Sequence, residues 1–319
     1  MPGPSAERCF SVVIPARNAA RTLPDTLRSL ACQPEFPRLE VVVVEDGSVD
    51  GTAEAAAGFP WCRLIRQPGS GAAAARNRGL RETRAPVVLF LDADCVAADD
   101  WVRRLVSPLE QDPGLGGTVG RFVSSQANWV ARLTQLELDA RHRRMSRHPD
   151  TDFVNSATCA FRRSVLGSDP FDVRFDKLED IELSFRLAGQ GVRMRYVPEA
   201  TVQHRHPEAL WVHVRRRFQY GRLTPALYRL HSGRLARDSS TPQTRRFQLV
   251  LLAAALPAGL VWWPGGLVLA LSSVLLAWPT LRAAWRLSPA LALKAPAFIA
   301  AGNMGFLLGT VAGLLRRRP

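Results

Sequence analysis

The sequence predicts an α/β fold, a Rossmann-like and mostly parallel central sheet with helices on both faces, followed by C-terminal transmembrane helices. Up to about Arg246 the apolar residues come in short pieces alternating between strand and helix character, and beyond it they come in long runs. The first pattern is the βαβ rhythm of a parallel sheet, and the second is that of membrane spans. The third observation is Val87-Val88-Leu89-Phe90-Leu91, an unbroken apolar run of the kind buried on both faces of a sheet. Asp92 and Asp94 follow it at once. Side chains alternate along an extended chain, so the two carboxylates point the same way, and like charges held that close call for a cation between them. A divalent metal, Mn2+ or Mg2+, suits such oxygen ligands together with substrate phosphates. That places a nucleotide diphosphate at this strand end.

The elements follow in order. Phe10 to Ile14 reads as a strand closed by Pro15, and Arg17-Asn18 lead into a helix over about Thr22 to Leu30, with Pro24 in its first turn. Glu40 to Val44 is a second strand running into Glu45-Asp46-Gly47-Ser48-Val49-Asp50-Gly51-Thr52, where the glycines permit tight backbone and Asp50 is a helix cap. Arg63 to Arg66 is a third strand. Gly69-Ser70-Gly71 then opens an alanine-rich helix through Arg76-Asn77-Arg78-Gly79, whose amides and dipole suit an anion.

Composition narrows the class. The chain of 319 residues is 47% hydrophobic, enough for a sizeable core, and its net charge of +14 rests on arginine, since Lys177 and Lys294 are the only lysines. Arginine excess suits phosphate or anionic lipid. No nucleic-acid reading module or aromatic interleaving accompanies it, so nucleic acid is not expected as a partner. Cys9, Cys32, Cys62, Cys95 and Cys159 are scattered without C-x-x-C spacing, which predicts neither a zinc site nor a disulfide framework and suits a reducing compartment. The N-terminal MPGPSAERCF lacks the apolar region of a signal peptide.

Four motifs in register, V-V-I-P-A-R-N, E-D-G-S-V-D-G-T, G-A-A-A-A-R-N-R-G-L and L-D-A-D, resemble those of a family 2 glycosyltransferase with the GT-A fold, membrane-anchored and of bacterial type. The resemblance covers about Ser11 to His206. It implies a nucleotide-sugar donor bound by Pro15, Asn18, Glu45, Asp46, Ser48, Arg76 and Asp92, with Asp46 at the nucleobase and Asp92 near the ribose. It also implies a metal held by Asp94, Asp92 and His204. The family's leading D-D-G-S reads Glu45-Asp46 here, so Asp46 is the stronger candidate.

The acceptor half follows. Asp99 or Asp100 caps a helix running to Leu109, Gly116 to Val123 is a strand, and an amphipathic helix spans about Asn128 to Arg147, docked on the sheet or the membrane surface. Asn155 to Leu166 resembles the family's segment between donor sugar and acceptor, with Asn155, Ser156 and Thr158 able to meet hydroxyls. Leu178-Glu179-Asp180-Ile181 is an acidic helix start, which the dipole alone would favour. By resemblance Asp180 is the general base and Glu179 orients the loop. Gly191 to Val197 is a further strand ending before Pro198, and His204 lies in the Val202 to His206 stretch beyond it.

From His213 to Arg246 the chain carries Arg215, Arg216, Arg217, Arg222, Arg229, Arg234, Arg237, Arg245 and Arg246 against the single acid Asp238, a block that sits on anionic headgroups. Processive relatives carry Q-x-x-R-W here. Arg217 matches its arginine, but Val214 and Phe218 replace the Gln and Trp, so transfer of a single sugar is expected. Spans at about 247–263 and 265–281 form a hairpin whose arginine flanks place both ends in the cytoplasm. A third apolar segment, 290–315, has Arg316-Arg317-Arg318 after it. Its length allows a third span, which would leave those arginines outside, and Lys294, Asn303, Gly302, Gly305, Gly309 and Gly313 also allow an interfacial or re-entrant element or packing of a small face against the hairpin.

The expected organisation is a catalytic domain over 1–210 (donor half 1–125, acceptor half 126–210), a basic amphipathic neck over 211–246 and a membrane region over 247–319. The expected function is metal-dependent, inverting transfer of one sugar to a hydroxyl of a lipid-linked or membrane-associated acceptor in cell-envelope glycan synthesis. The protein would be multi-pass in the cytoplasmic membrane, its catalytic domain facing the cytoplasm. The alternatives are a polyprenyl-phosphate sugar transferase and a non-catalytic membrane scaffold that keeps the nucleotide-sugar fold.

Overall fold

The computed structural model describes residues 9–234 and 243–315. Residues 1–8, Arg237 and Asp238 of the neck, and Arg316, Arg317 and Arg318 lie outside the described residues. The chain begins with β1 (Phe10–Ala16), α1 (Leu23–Ala31), β2 (Leu39–Asp46), α2 (Thr52–Ala57), β3 (Arg63–Gln67), α3 (Ala72–Arg81) and β4 (Val87–Leu91). There follow β5 (Cys95–Ala97), α4 (Trp101–Gln111), β6 (Leu115–Val123), α5 (Trp129–Met145), β7 (Thr158–Arg162), α6 (Glu179–Gly189) and β8 (Arg193–His204). The remainder is helical: α7 (Leu210–Leu230), α8 (Gln243–Val261), α9 (Trp263–Leu275), α10 (Trp278–Leu287) and α11 (Pro289–Leu315).

The eight strands form one sheet in the order β3-β2-β1-β4-β7-β6-β8-β5. The β3-β2-β1-β4 half is parallel throughout. In the other half β7 runs antiparallel to both its neighbours and β5 runs antiparallel to β8, while β6 and β8 are parallel. The sheet is therefore mixed, and its antiparallel members are the two strands that sequence pattern did not predict. All of β4 is buried between β1 and β7, as its apolar run requires. Phe90 meets Phe171 edge to face at 5.1 Å in the core beneath it.

Two prolines fail to end strands where expected. β1 continues through Pro15 to Ala16, because its pairing with β4 stops at Val13 and the missing N–H costs no bond on that side. β8 runs through Pro198 to His204. The register slips there, Val119 facing Tyr196 but Arg121 facing Thr201, and the bulge takes Pro198 out of the ladder.

The chain divides into two compact units. One holds the described residues up to Val123 together with Met145–Arg205, and the other holds Ser124–Arg144 and the chain from His206 on. The segment from Met145 thus returns to the first unit. α5 belongs to the second unit: its Val130, Leu133 and Leu136 share an apolar core with Ala284, Leu291, Ala295, Phe298 and Ile299. Its Glu137 also accepts a hydrogen bond from Arg217 Nη2 on α7 at 2.5 Å. Burial alone would raise that carboxyl's pKa, but Arg217 and its neighbouring arginines hold it below the usual range.

Within the second unit the glycines of α11 pack against α7, not against a hairpin. A Cβ on Gly309 would stand 2.1 Å from the Phe218 carbonyl oxygen, one on Gly313 2.1 Å from that of Arg222, and one on Gly221 of α7 2.1 Å from that of Phe306. Backbones this close tolerate no side chain. Gly309→Ala is expected to lower the thermal midpoint of the detergent-solubilised protein by several degrees, the cost of overpacking being about 1–3 kcal/mol. Gly189→Ala, where a Cβ meets nothing within 4 Å, serves as the control and leaves the midpoint unchanged or higher. Equal midpoints for both variants would show that the two helices separate without cost.

α8 from Thr244 and α11 are long and apolar enough to cross a membrane, and α9 with α10 would make a third span if that pair, bent by 62°, counts as one. The expected span over 265–281 falls across the bend between these two helices. Helix α9 stops at Leu275, and α10 starts again with Pro279 in its first turn, carrying Arg282 and Arg286. Trp262, Trp263, Leu267, Leu271, Leu275, Trp278 and Trp285 are all exposed in this unit.

Candidate active site

The site residues gather at the carboxyl ends of β1, β2 and β4 and at the start of α6. The loops after β1 and β2 are clamped together. Asn18 Oδ1 accepts from Val49 N at 3.0 Å, Asn18 N donates to Ser48 Oγ at 3.0 Å, and Glu45 accepts from Ser48 N. Asn18 pays for that clamp with a left-handed backbone at φ 51°. Gly51, not Asp50, is the N-cap of α2; Asp50 accepts from Thr52 N at 3.1 Å and from Ala20 N at 3.2 Å, and the Thr52 hydroxyl, followed by these amides, lowers its pKa.

Asp46 is 2% exposed. Its carboxylate accepts from Gln67 Nε2 at 2.7 Å, Ser70 N at 2.7 Å and Gly71 N at 2.8 Å. A carboxylate offers about four acceptor positions, so most of its capacity is spent on the turn that opens α3. Asp46 thus shapes that loop and keeps one acceptor position beyond these three bonds. Gly47, at φ 67°, is required beside it, because a Cβ would stand 2.5 Å from Gly69 N.

Arg76 of α3 joins the two acidic motifs. Its guanidinium is 3% exposed, and it donates to Asp92 Oδ1 at 2.7 Å and to Glu179 Oε1 at 2.8 Å. Burial disfavours its charge, but the two carboxylates outweigh burial and raise its pKa well above the ordinary value. Asp92 is thereby committed to Arg76. The cluster whose ligand atoms converge is instead Asp94, Cys95 and His204, all within 4.8 Å of one another. Among the described residues Asp94 and His204 thus come together with Cys95, while Asp92, whose Oδ1 holds Arg76, lies outside that group. A carboxylate, an imidazole and a thiol are donors that fit a divalent metal.

Two side chains of α1, with Gln33 just beyond its end, hold this turn in place. Thr26 Oγ1 donates to Ala93 O at 3.1 Å, Ser29 Oγ accepts from Ala97 N at 3.0 Å, and Gln33 Nε2 donates to Ala98 O at 2.7 Å. Sequence reasoning passed over them because isolated polar residues on an amphipathic helix carry no pattern. It passed over Cys95 because spacing alone does not show that β5 and β8 set it opposite His204.

At the start of α6, Leu178 adopts a left-handed φ of 68°, a strain that aims the acid pair. Glu179 turns to Arg76, while Asp180 Oδ1 accepts from Ile181 N at 2.8 Å. In the expected acceptor segment, Asn155 Oδ1 accepts from Ala157 N at 2.9 Å, and Ser156 is buried. Thr158 is fully buried in β7 and its hydroxyl accepts from Trp101 Nε1 at 2.9 Å. It holds α4 on the sheet.

Residues 11–168 match the family described as Glycosyl transferase family 2. The chain is 34% identical over 229 residues to a pre-mycofactocin glycosyltransferase of Mycobacterium tuberculosis, covering 69% of this chain and 47% of that protein. It is 30% identical over 244 residues to an N-acetylglucosaminyltransferase of Mesorhizobium japonicum, covering 70% of this chain and 56% of that one. The chain thus spans about half the length of these curated relatives. Among solved structures, a mannosyltransferase from Pyrobaculum calidifontis in complex with GDP-Man and Mn2+ superposes with a TM-score of 0.63 at 21% identity, covering 100% of this chain and 90% of that one. At that identity the likeness shows the fold, which is GT-A-like.

Proposed function

Through residues 11–168 the chain belongs to glycosyl transferase family 2, and from that premise we propose that it moves one sugar from a nucleotide-diphosphate donor to a hydroxyl of a lipid-linked or membrane-associated acceptor, with inversion. The observation that carries this reading is Arg76, which ties Asp92 of the strand end to Glu179 of α6 and so brings donor chemistry and base chemistry into one site. Asp94 and His204, with Cys95 beside them, hold a Mn2+ or Mg2+ ion. When bound, that ion supplies charge neutralisation for the diphosphate leaving group. Asp180 takes the proton of the attacking hydroxyl, whose oxygen bonds to the anomeric carbon as the bond to the diphosphate breaks. Glu179 and Arg76 fix the first turn of α6 so that Asp180 is presented at the correct position. The clamped loops of Asn18, Ser48 and Asp46 shape the nucleoside side of the donor pocket, with Pro15 and Glu45 at their base.

The second unit anchors the enzyme in the cytoplasmic membrane, with the transferase unit on the cytoplasmic side. α8 and the bent α9–α10 pair enter the bilayer. α7 is packed along α11 and carries Arg215, Arg216, Arg217 and Arg222, each costing about 2.5–3.5 kcal/mol at the bilayer centre. The α7–α11 pair therefore lies along the anionic headgroups. The test is nucleotide diphosphate release by the detergent-solubilised protein with Mn2+ or Mg2+ and a panel of UDP-, GDP- and dTDP-sugars, with and without a membrane lipid extract. One donor is expected to give lipid-stimulated release, reduced at least about 100-fold in Asp94→Ala. No release from any donor, with no metal-dependent nucleotide binding, would turn the reading to the scaffold.

A further inference from the structure

Cys95 is the one side chain of the Asp94 cluster to which the proposed transfer gives no task. It is fully buried on β5, and the antiparallel register with β8 sets it directly opposite His204. Facing residues in such a pair stand on one side of the sheet with Cβ atoms roughly 4.5–5.5 Å apart. Asp94 completes the group, its carboxylate oxygen, the Cys95 sulfur and a His204 ring nitrogen lying within 4.8 Å of one another. Asp94 Oδ2 and His204 Nε2 are 3.6 Å apart, too far for a hydrogen bond. Cys95 Sγ and Asp94 Oδ1 are 3.7 Å apart. Ligand atoms on a tetrahedral ion with bonds of about 2.0–2.3 Å stand roughly 3.3–3.8 Å from each other. The Cys95 thiol donates to Asp94 Oδ1, and both contacts of the Asp94 carboxylate fall in the range that ligands of one ion keep, with all three groups within 4.8 Å.

We propose that Asp94, Cys95 and His204 form a mixed oxygen, sulfur and nitrogen site that takes a thiophilic divalent cation, Zn2+ or Cd2+, in preference to Mg2+, and that Zn2+ there competes with the ion the transfer uses. The inference rests on the reading of this cluster as the metal position of the transferase. Mg2+ demands near-octahedral oxygen ligands and dehydrates reluctantly, whereas a thiolate selects softer ions. As the ion binds, the Cys95 S–H bond is replaced by a sulfur–metal bond and the proton leaves to solvent. Three protein ligands leave the fourth tetrahedral position for water or a phosphate oxygen.

The test is titration of the full-length, detergent-solubilised protein with Cd2+ alone, following the sulfur-to-cadmium charge-transfer absorbance. Cys32, an exposed thiol, is replaced by serine in every version. A saturable band from one Cd2+ per chain is expected, displaced by Zn2+ and not by a roughly 100-fold excess of Mg2+. Cys95→Ser and Cys95→Ala should both abolish the band and weaken calorimetric Zn2+ binding at least about tenfold. A missing band in the protein that keeps Cys95, or a band that survives in both variants, would overturn the proposal. The titration contains no sugar donor, so it stands apart from the diphosphate-release assay: release without the band refutes only the soft site, and the band without release refutes only the transferase.

Discussion

Arg76→Met is expected to lower the thermal midpoint of the full-length protein by roughly 6–20 °C, the consequence of losing about 3–5 kcal/mol. The guanidinium is 3% exposed and lies between Asp92 and Glu179, whose side chains are 31% and 12% exposed. Removing it leaves Glu179 charged, buried and without its cation, while Asp92, nearer to solvent, loses less. Methionine keeps the volume, so the loss reports charge and not a cavity. Arg76→Lys is expected to fall between the two, since a single ammonium cannot bridge two carboxylates as a planar fork does. The triple variant Arg76→Met, Asp92→Asn, Glu179→Gln should regain most of the midpoint, because no buried charge is then stranded. A midpoint for Arg76→Met within about 2 °C of the parent would mean that solvent already screens the trio.

Arg76 also shows where the sequence was legible. The Asp-x-Asp strand end, the loop after β2 and the acidic start of α6 each carry a local pattern: an apolar run, clustered glycines, acids in a first turn. The link between them does not, because Arg76 reaches Asp92 and Glu179 from a helix that reads only as alanine-rich. Strand β7 was hidden for a similar reason. Its five residues, Thr158–Arg162, sit next to polar residues, and their pairing with β4 and β6 is long-range. In the second unit the glycine face of α11 was visible in the sequence. A small face says that a backbone comes close but does not say whose, and the partner proved to be α7. The fate of the span over 265–281 turned on Pro279, which starts α10 after a break that hydropathy alone averages away.

Asp180→Asn is expected to cut turnover about 10²–10⁴-fold, the range supplied by a positioned base, with nucleotide-sugar binding nearly unchanged. The substitution keeps the size of the side chain and the acceptor oxygen that holds Ile181 N, so α6 retains its start. It removes only the capacity to take a proton. Glu179→Gln makes the complementary case: it weakens the ion pair with Arg76, so it should lower the thermal midpoint along with turnover, whereas Asp180→Asn should leave the midpoint alone. The two variants thus separate the group that touches the acceptor from the group that positions it. The same measurement decides the acceptor's chemistry. A hydroxyl must lose its proton as it attacks and cannot do without the base, whereas a lipid phosphate attacks through an oxygen that is already ionised. Asp180→Asn retaining most of its activity would therefore identify a phosphate as the attacking group and leave Asp180 as a residue that orients it.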